Sequence, residues 1–357
     1  MHAAADKAMA PEIHAFLLWA NALPRSDAIL ADIQSRFALV DVVRIEWSRD
    51  AFASNLTRFY GQSLESGSEK ELHCGNGPFL VVVVEDPEPT YAWRRTTRGR
   101  ARVNVRMFDA KKRYRRWTGG GHRVHSTVTP READRDLFLL LGLRSADCAD
   151  GRRWDGTVSA QHRDLLGADG WESRAQLLTA IELVVGYVAL VSAAAPAGAD
   201  ELPRLLVEDR WWTAQIATCS DRPADDMLAP VAGTQLPLVL SKLGDGSLSA
   251  SWQHRLLSTP VREPGGLLVP APVDRYYLAL HEVASEGRVL TPADRSELER
   301  LASELELPRG DYGDPGFAAR ELDAYLAQLP PPPAAKPPPK WRTVTLAPLK
   351  RLVRGAG

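Results

Sequence analysis

Cysteine is scarce in this chain of 357 residues: there are three, Cys74, Cys148 and Cys219, odd in number and far apart. That spacing fits neither a disulfide framework nor a zinc cluster of paired thiolates, and it points to a reducing cytoplasm. Long apolar runs are missing too. The best candidate, IELVVGYVALVSAAA, falls short of the roughly 18 residues of a membrane span and contains a glutamate, so no transmembrane segment is expected. It reads instead as a core or sheet-covering helix. The start, MHAAADKAMAPEIHAF, lacks a charged segment followed by an apolar one, so no signal peptide is expected. SxxK, GxSxG and HExxH are absent, which weakens a hydrolase reading; a Walker loop and a dinucleotide fingerprint are absent as well. Net charge is nearly absent, at −1. With 45% hydrophobic and 25% charged residues, what remains is the profile of a soluble globular protein, long enough for two ordinary domains or one large one.

The apolar pattern predicts a mixed α/β fold of two units with a helical C-terminal part. In the first unit, residues 11–150, IHAFLLWANAL is an apolar segment. SDAILADIQSRF is a helix with Ser26 at its N-cap and Ile29, Ile33 and Phe37 on one face. ALVDVVRIEW and PFLVVVVEDPEPT read as strands. TPREADRDLFLLLG is a helix, with Thr129 as cap, Pro130 in the first turn, Glu132 completing a capping box and Gly142 as stop. CADGRRWDGTV looks like a linker or long loop. The second unit, residues 155–329, begins with WESRAQLLTAIELVVGYVALV as a helix. RLLVEDRWWTAQIAT and QLPLVLSKLGDGSLSASWQHRLLSTPV follow as expected strands. DRYYLALHEVAS, TPADRSELERLASEL and DPGFAARELDAYLAQL close it as helices. From 330 to 357 a polyproline spacer leads to a basic end without acids, either a membrane-surface or partner-binding peptide or, the favoured reading, the lead into a further catalytic module downstream. A non-catalytic scaffold tethered through this tail is an alternative to an enzyme.

Charge is unevenly spread. Between Arg94 and Arg123 there are twelve Lys or Arg against one acid, Asp109. This is either a solvated basic face or a surface that binds an anion, nucleic acid among the alternatives. Within it lies KKRYRRWTGGGHRVHSTVT, residues 111–129. Gly119, Gly120 and Gly121 permit φ > 0, so successive N–H groups could turn into one concavity beside the start of a helix. His122 and His125 could donate to an anion or exchange protons with it. Lys111, Lys112, Arg115, Arg116, Thr118, Ser126 and Thr127 would complete a phosphate cradle. The bland alternative is a glycine loop next to a basic surface.

The strand VVVVEDPEPT ends in Glu85 and Asp86. These acids could coordinate Mg²⁺ or activate an acceptor hydroxyl, or simply be an acidic strand end. RWWT and YYLALHEV carry large aromatics that read more readily as core than as a sugar platform.

VVVVEDPEPT resembles the PRPP-binding strand and loop of phosphoribosyltransferases, where the acids hold ribose hydroxyls, though the following Thr-Gly is missing here. Three longer stretches, KELHCGNGPFLVVVVEDPEPTY, KKRYRRWTGGGHRVHSTVTPREADRDLFLLLG and VDRYYLALHEVA, together resemble a bacterial family associated with surface-polysaccharide loci. The likeness spans roughly residues 13–330, and WTGGGHxxHxT is its most specific part. It implies a cytoplasmic transferase, peripheral at the inner membrane, that uses a phosphorylated or nucleotide-activated sugar donor, PRPP being the most specific candidate. A lipid-linked glycan would be the acceptor. His122 or His125 would neutralise the leaving group, with Glu85 and Asp86 on Mg²⁺ or the sugar.

Overall fold

The computed structural model describes residues 9–96, 99–192, 203–219 and 227–333. Nearly all of the polyproline and basic tail lies outside those residues. In the N-terminal half, β1 (Glu12–Leu18), α1 (Ser26–Gln34), β2 (Ala38–Glu46), α2 (Phe52–Tyr60), α3 (Glu69–Cys74) and β3 (Phe79–Asp86) come first. They are followed by β4 (Tyr91–Thr96), β5 (Gly99–Asn104), α4 (Val105–Trp117), β6 (Val124–Ser126), α5 (Pro130–Leu141) and β7 (Ser159–His162). Five of these strands make the central sheet, in the order β6-β1-β3-β2-β7. All its pairs are antiparallel except β2 with β7.

Alternation along the strands divides the sheet's side chains between two cores. Phe16 and Leu18 of β1 and Leu80, Val82 and Val84 of β3 face α1 and α4, where they meet Ile29, Ile33, Met107 and Tyr114. Ala15, Leu17, Val81 and Val83 face the other way, toward Leu56 and Phe59 of α2 and Leu137 of α5. The central strand β3 is therefore covered on both sides, which is why it is an unbroken apolar run.

That second core continues past residue 150. It takes in α6 (Arg174–Val184), β8 (Tyr187–Ala189), β9 (Leu205–Val207) and α7 (Arg210–Thr218). The hairpin β10 (Met227–Val231) and β11 (Thr234–Leu238) follows, then β12 (Leu240–Lys242), which pairs with β9. After α8 (Ala250–Ser258), β13 (Val261–Arg262) and β14 (Leu268–Val269) come α9 (Pro272–Glu286), α10 (Pro292–Glu304) and α11 (Pro315–Leu326), packed around Tyr276, Leu280, Leu298 and Tyr325. The mixed α/β architecture with a helical C-terminal part is thus present. No helix among the described residues is long and apolar enough to cross a membrane.

Local expectations hold where the caps are explicit. Thr129 accepts from the Glu132 N–H and Gly142 ends α5 at φ 74°, although Glu132 reaches back to the Val128 N–H rather than to the cap itself. Thr291 and Asp294 form a reciprocal capping box at α10. Four readings change. Ser26 is the first residue of α1 and not its cap, because a 3-10 turn over Ala20–Arg25 runs straight into the helix. The helix expected over 171–191 stops at Val184; Gly186 turns the chain at φ 79° and Tyr187–Ala189 beyond it becomes β8. In 204–218 only Leu205–Val207 is a strand, and Asp209 then caps the helix α7. In 235–261 the strands pause at Lys242, Ser249 caps the helix α8, and a strand resumes only at Val261.

Candidate functional site

The three glycines of 119–121 adopt φ of 89°, 88° and 67°. They follow directly on α4, whose last carbonyls need partners. Gly120 donates its N–H to the Arg115 carbonyl at 2.6 Å and Gly119 donates to Arg116 at 3.4 Å. The Arg123 guanidinium covers the Thr118 carbonyl. Two of the three glycine amides expected to cradle a phosphate are thereby engaged in stopping a helix. Gly121 has a second reason to be glycine: a Cβ there would lie 2.7 Å from the His73 ring.

The bases upstream divide by helical face. Lys112 and Arg116 are exposed. Lys111 and Arg115 turn inward and donate to backbone carbonyls of the β6 strand, Lys111 to Ser126 at 3.3 Å and Arg115 to Val124 at 2.7 Å. Burial, with Arg115 nearby, pushes the Lys111 ammonium down to about 8. The hydroxyls are engaged within the fold as well. Thr118 donates to the Tyr114 carbonyl, Ser126 to Met107, and buried Thr127 accepts from the Ala15 N–H while its Oγ lies 3.0 Å from His14 Nδ1.

His122 and His125 sit on either side of Val124 and have different surroundings. His122 is half-buried, with its ring 5.6 Å from that of His73. Burial, then Lys70, Arg115 and the neighbouring histidines, lower it to about 4, so it is neutral at pH 7. His125 is buried against Phe59 and Tyr60, with Nε2 2.8 Å from Asp136. Burial lowers its affinity for a proton, against the pull of Asp136. Burial would raise Asp136, yet Arg135 and His125 outweigh it and hold the carboxyl below its usual range. Among the described residues, His125, Glu132 and Asp136 bring donor atoms within 4.8 Å of one another. Arg135 already rests on Asp136 at 2.5 Å and Glu132 at 3.5 Å, so the fold supplies its own counter-cation there.

Glu85 and Asp86 stand apart from this loop and from each other. β3 passes Val124's neighbour Leu18 at Leu80 and reaches Glu85 five residues later, on the order of 17 Å along the strand. As successive strand residues they also point to opposite faces. Glu85 pairs with Arg153 at 3.1 Å. Asp86 is fully buried and accepts from Asn104 at 2.9 Å, Arg106 at 3.0 Å and the Glu88 N–H at 3.3 Å. With its oxygens so occupied and Glu85 on the other face, the pair does not make a common Mg²⁺ site. The glycine loop and this strand end therefore lie too far apart to line one site.

Two concavities lie beside α7. One of about 370 Å³ opens at the N-terminus of α5, between Thr129, Glu132 and Arg135 and, across from them, Glu208, Asp209 and Trp212. A larger one, of about 1020 Å³, runs between α2, the following loop and the start of α7. Its wall carries Asp50, Glu65, Glu208, Arg210, Trp211 and Lys242. α7 shapes both. Trp212 is buried, donates to the Arg58 carbonyl at 2.8 Å and packs so tightly on Gly61 that a Cβ there would lie 2.4 Å from its ring. Trp211, one residue back, is 39% exposed and faces the cleft. Consecutive helical residues diverge by about 100°, so one of two adjacent tryptophans has to leave the core. That was a legible signal in RWWT. The other residues of the cleft come from positions 50 to 243 and share no motif. No protein-family model and no curated protein matches the sequence.

Proposed function

We propose that the chain is a transferase acting on a phosphorylated or nucleotide-activated sugar in bacterial surface-glycan assembly, with its substrate in the large cleft beside α7. The observation that carries this reading is the combination in one cleft of an exposed indole, carboxylates and two cations: Trp211, then Asp50, Glu65 and Glu208, then Arg210 and Lys242. An indole offers the flat apolar surface on which a sugar ring packs. Carboxylates accept from sugar hydroxyls, and one of them would act as base toward the acceptor hydroxyl. Arg210 and Lys242 would take the phosphate. Phosphoribosyl transfer in particular rested on Glu85 and Asp86 acting together; with these on opposite faces of β3, the broader class of phosphorylated sugars is what the cleft supports. A thermal-shift screen of sugar phosphates, nucleotide sugars and PRPP tests it. A ligand at 100 times its Kd stabilises by about 2.7 kcal/mol, a shift of several degrees. Trp211→Ala and Lys242→Ala should each abolish that shift. If no donor stabilises the protein, or if both variants respond as the parent does, the reading is wrong.

A further inference from the structure

The twelve bases between Arg94 and Arg123 separate into two groups in the structure. Arg106 pairs with Asp86 and Glu88, and Arg113 with Asp32. Lys111, Arg115 and Arg123 donate to backbone carbonyls. Arg94 lies 4.0 Å from Asp109. Arg95, Arg100, Arg102, Lys112 and Arg116 are exposed, and among the described residues no carboxylate comes within ion-pair distance of them. Arg98 is outside the described residues.

Three of these free arginines sit on one face of a ribbon. β4 and β5 pair only with each other, in a register that sets Trp93 opposite Arg102 and Arg95 opposite Arg100. By alternation Tyr91, Trp93 and Arg95 share a face with Arg100, Arg102 and Asn104. Its base is closed by buried Asn104 and by the Tyr91 hydroxyl, which donates to Glu12, and its outer part, from Trp93 to Arg100, is open, while on the reverse Val103 is buried and Arg94 reaches Asp109 of α4. On the free face the Arg100 guanidinium lies 5.8 Å from the Trp93 ring and Arg102 lies 5.6 Å from Tyr91. Trp93 is 58% exposed. Like charges directly across a strand pair are destabilising, so Arg95 opposite Arg100 is a cost that the hairpin alone does not recover. An anion removes that repulsion, and a planar group on Trp93 covers the indole.

We propose that the free face of the β4–β5 ribbon binds single-stranded nucleic acid, with Arg95, Arg100 and Arg102 on phosphates and a base stacked on Trp93. Guanidinium groups suit phosphate oxygens because their donors are paired in a plane, and they stack on bases as well. Duplexes keep base faces hidden, so an exposed indole on a flat ribbon favours unpaired strands. An anionic bilayer would attract the arginines but supplies no planar partner for Trp93. This surface is independent of the sugar cleft, and its test leaves that reading untouched.

The experiment is fluorescence anisotropy with a short labelled oligothymidylate over a salt series, using the full chain. Changing all three arginines to alanine should flatten the log–log salt dependence by about 2, from a slope of about −0.7 per neutralised phosphate. Trp93→Ala should weaken binding about tenfold or more without changing the slope, while Trp93→Phe should keep most of the affinity. Melting temperatures should stay near that of the parent, because all four side chains are exposed. No oligonucleotide binding, equal affinity for a duplex with Trp93→Ala unaffected, or sedimentation with phosphatidylglycerol vesicles in place of oligonucleotide binding would each overturn the proposal.

Discussion

Gly120 and Gly121 separate two ideas about the glycine loop. Both have positive φ, so alanine at either is strained by about 1–2 kcal/mol. They differ in what a methyl group would meet. At Gly120 there is nothing within 4 Å; at Gly121 the new Cβ falls 2.7 Å from Cγ of His73, well inside van der Waals contact. Moving that ring adds an overpacking cost of about 1–3 kcal/mol. Gly120→Ala should therefore lose about 1–2 kcal/mol and Gly121→Ala about 2–5 kcal/mol. The two parts of the second figure can be measured apart. Making Gly121→Ala in a His73→Ala background removes the clash and leaves the backbone strain, so the cycle should return a coupling of about 1–3 kcal/mol. Urea unfolding followed by tryptophan fluorescence gives all four stabilities, provided the m-values agree. A coupling near zero would refute the close approach to His73. Gly120→Ala tests the loop's role as well. Its N–H caps α4, so the substitution should leave ligand binding unchanged; a binding loss without a stability loss would restore the loop as an anion cradle.

Three further outcomes are expected. Trp212→Ala should cost about 3–5 kcal/mol because the ring is buried on Gly61, whereas Trp211→Ala should change stability by no more than about 0.5 kcal/mol in the same denaturation assay. His122 has a folded pKa lowered from 6.5 to about 4, so the unfolded chain takes up its proton first and stability should fall as pH drops from about 6.5 through about 4. His122→Gln should flatten the melting-temperature profile across that window, and an unchanged profile would count against the buried neutral imidazole. Lys111 is enclosed and its pKa is lowered to about 8, so its charge at pH 7 opposes folding. Lys111→Met should be neutral or stabilising by up to about 2 kcal/mol at pH 7, and a loss larger than that would show that the bond to the Ser126 carbonyl outweighs the burial of charge.

Much of the fold was legible because local chemistry and global packing agree. PFLVVVV is a strand buried on both faces, and Thr129-Pro130 with Gly142 bounds a helix whatever lies around it. Where the sequence misled, a short polar cap outweighed a β-rich composition. RLLVEDRWWTAQIAT carries strand-forming Val207, Trp211, Trp212, Thr213 and Ile216, yet Asp209 capping the Trp212 N–H starts a helix in the middle of it, and Ser249 caps α8 in the same way. The glycine loop was rightly seen as a place of positive φ, since only glycine reaches that region cheaply. Whether its amides face a ligand or a helix end depends on which carbonyls come near, and linear spacing does not carry that information. Distance along the sheet behaves in the same way. Glu85 and Asp86 are adjacent in the chain, but the pleat sends them to opposite faces, and the β6-β1-β3 register sets them far from Gly120. The sequence by itself determined the elements with strong caps, the doubly buried strand and the concentration of bases between 94 and 123. Only the tertiary structure decided which bases are consumed internally, which remain free on the β4–β5 ribbon, and that the large cleft assembles from Asp50, Glu65, Trp211 and Lys242, because such groups converge through packing and not through neighbourhood in the chain.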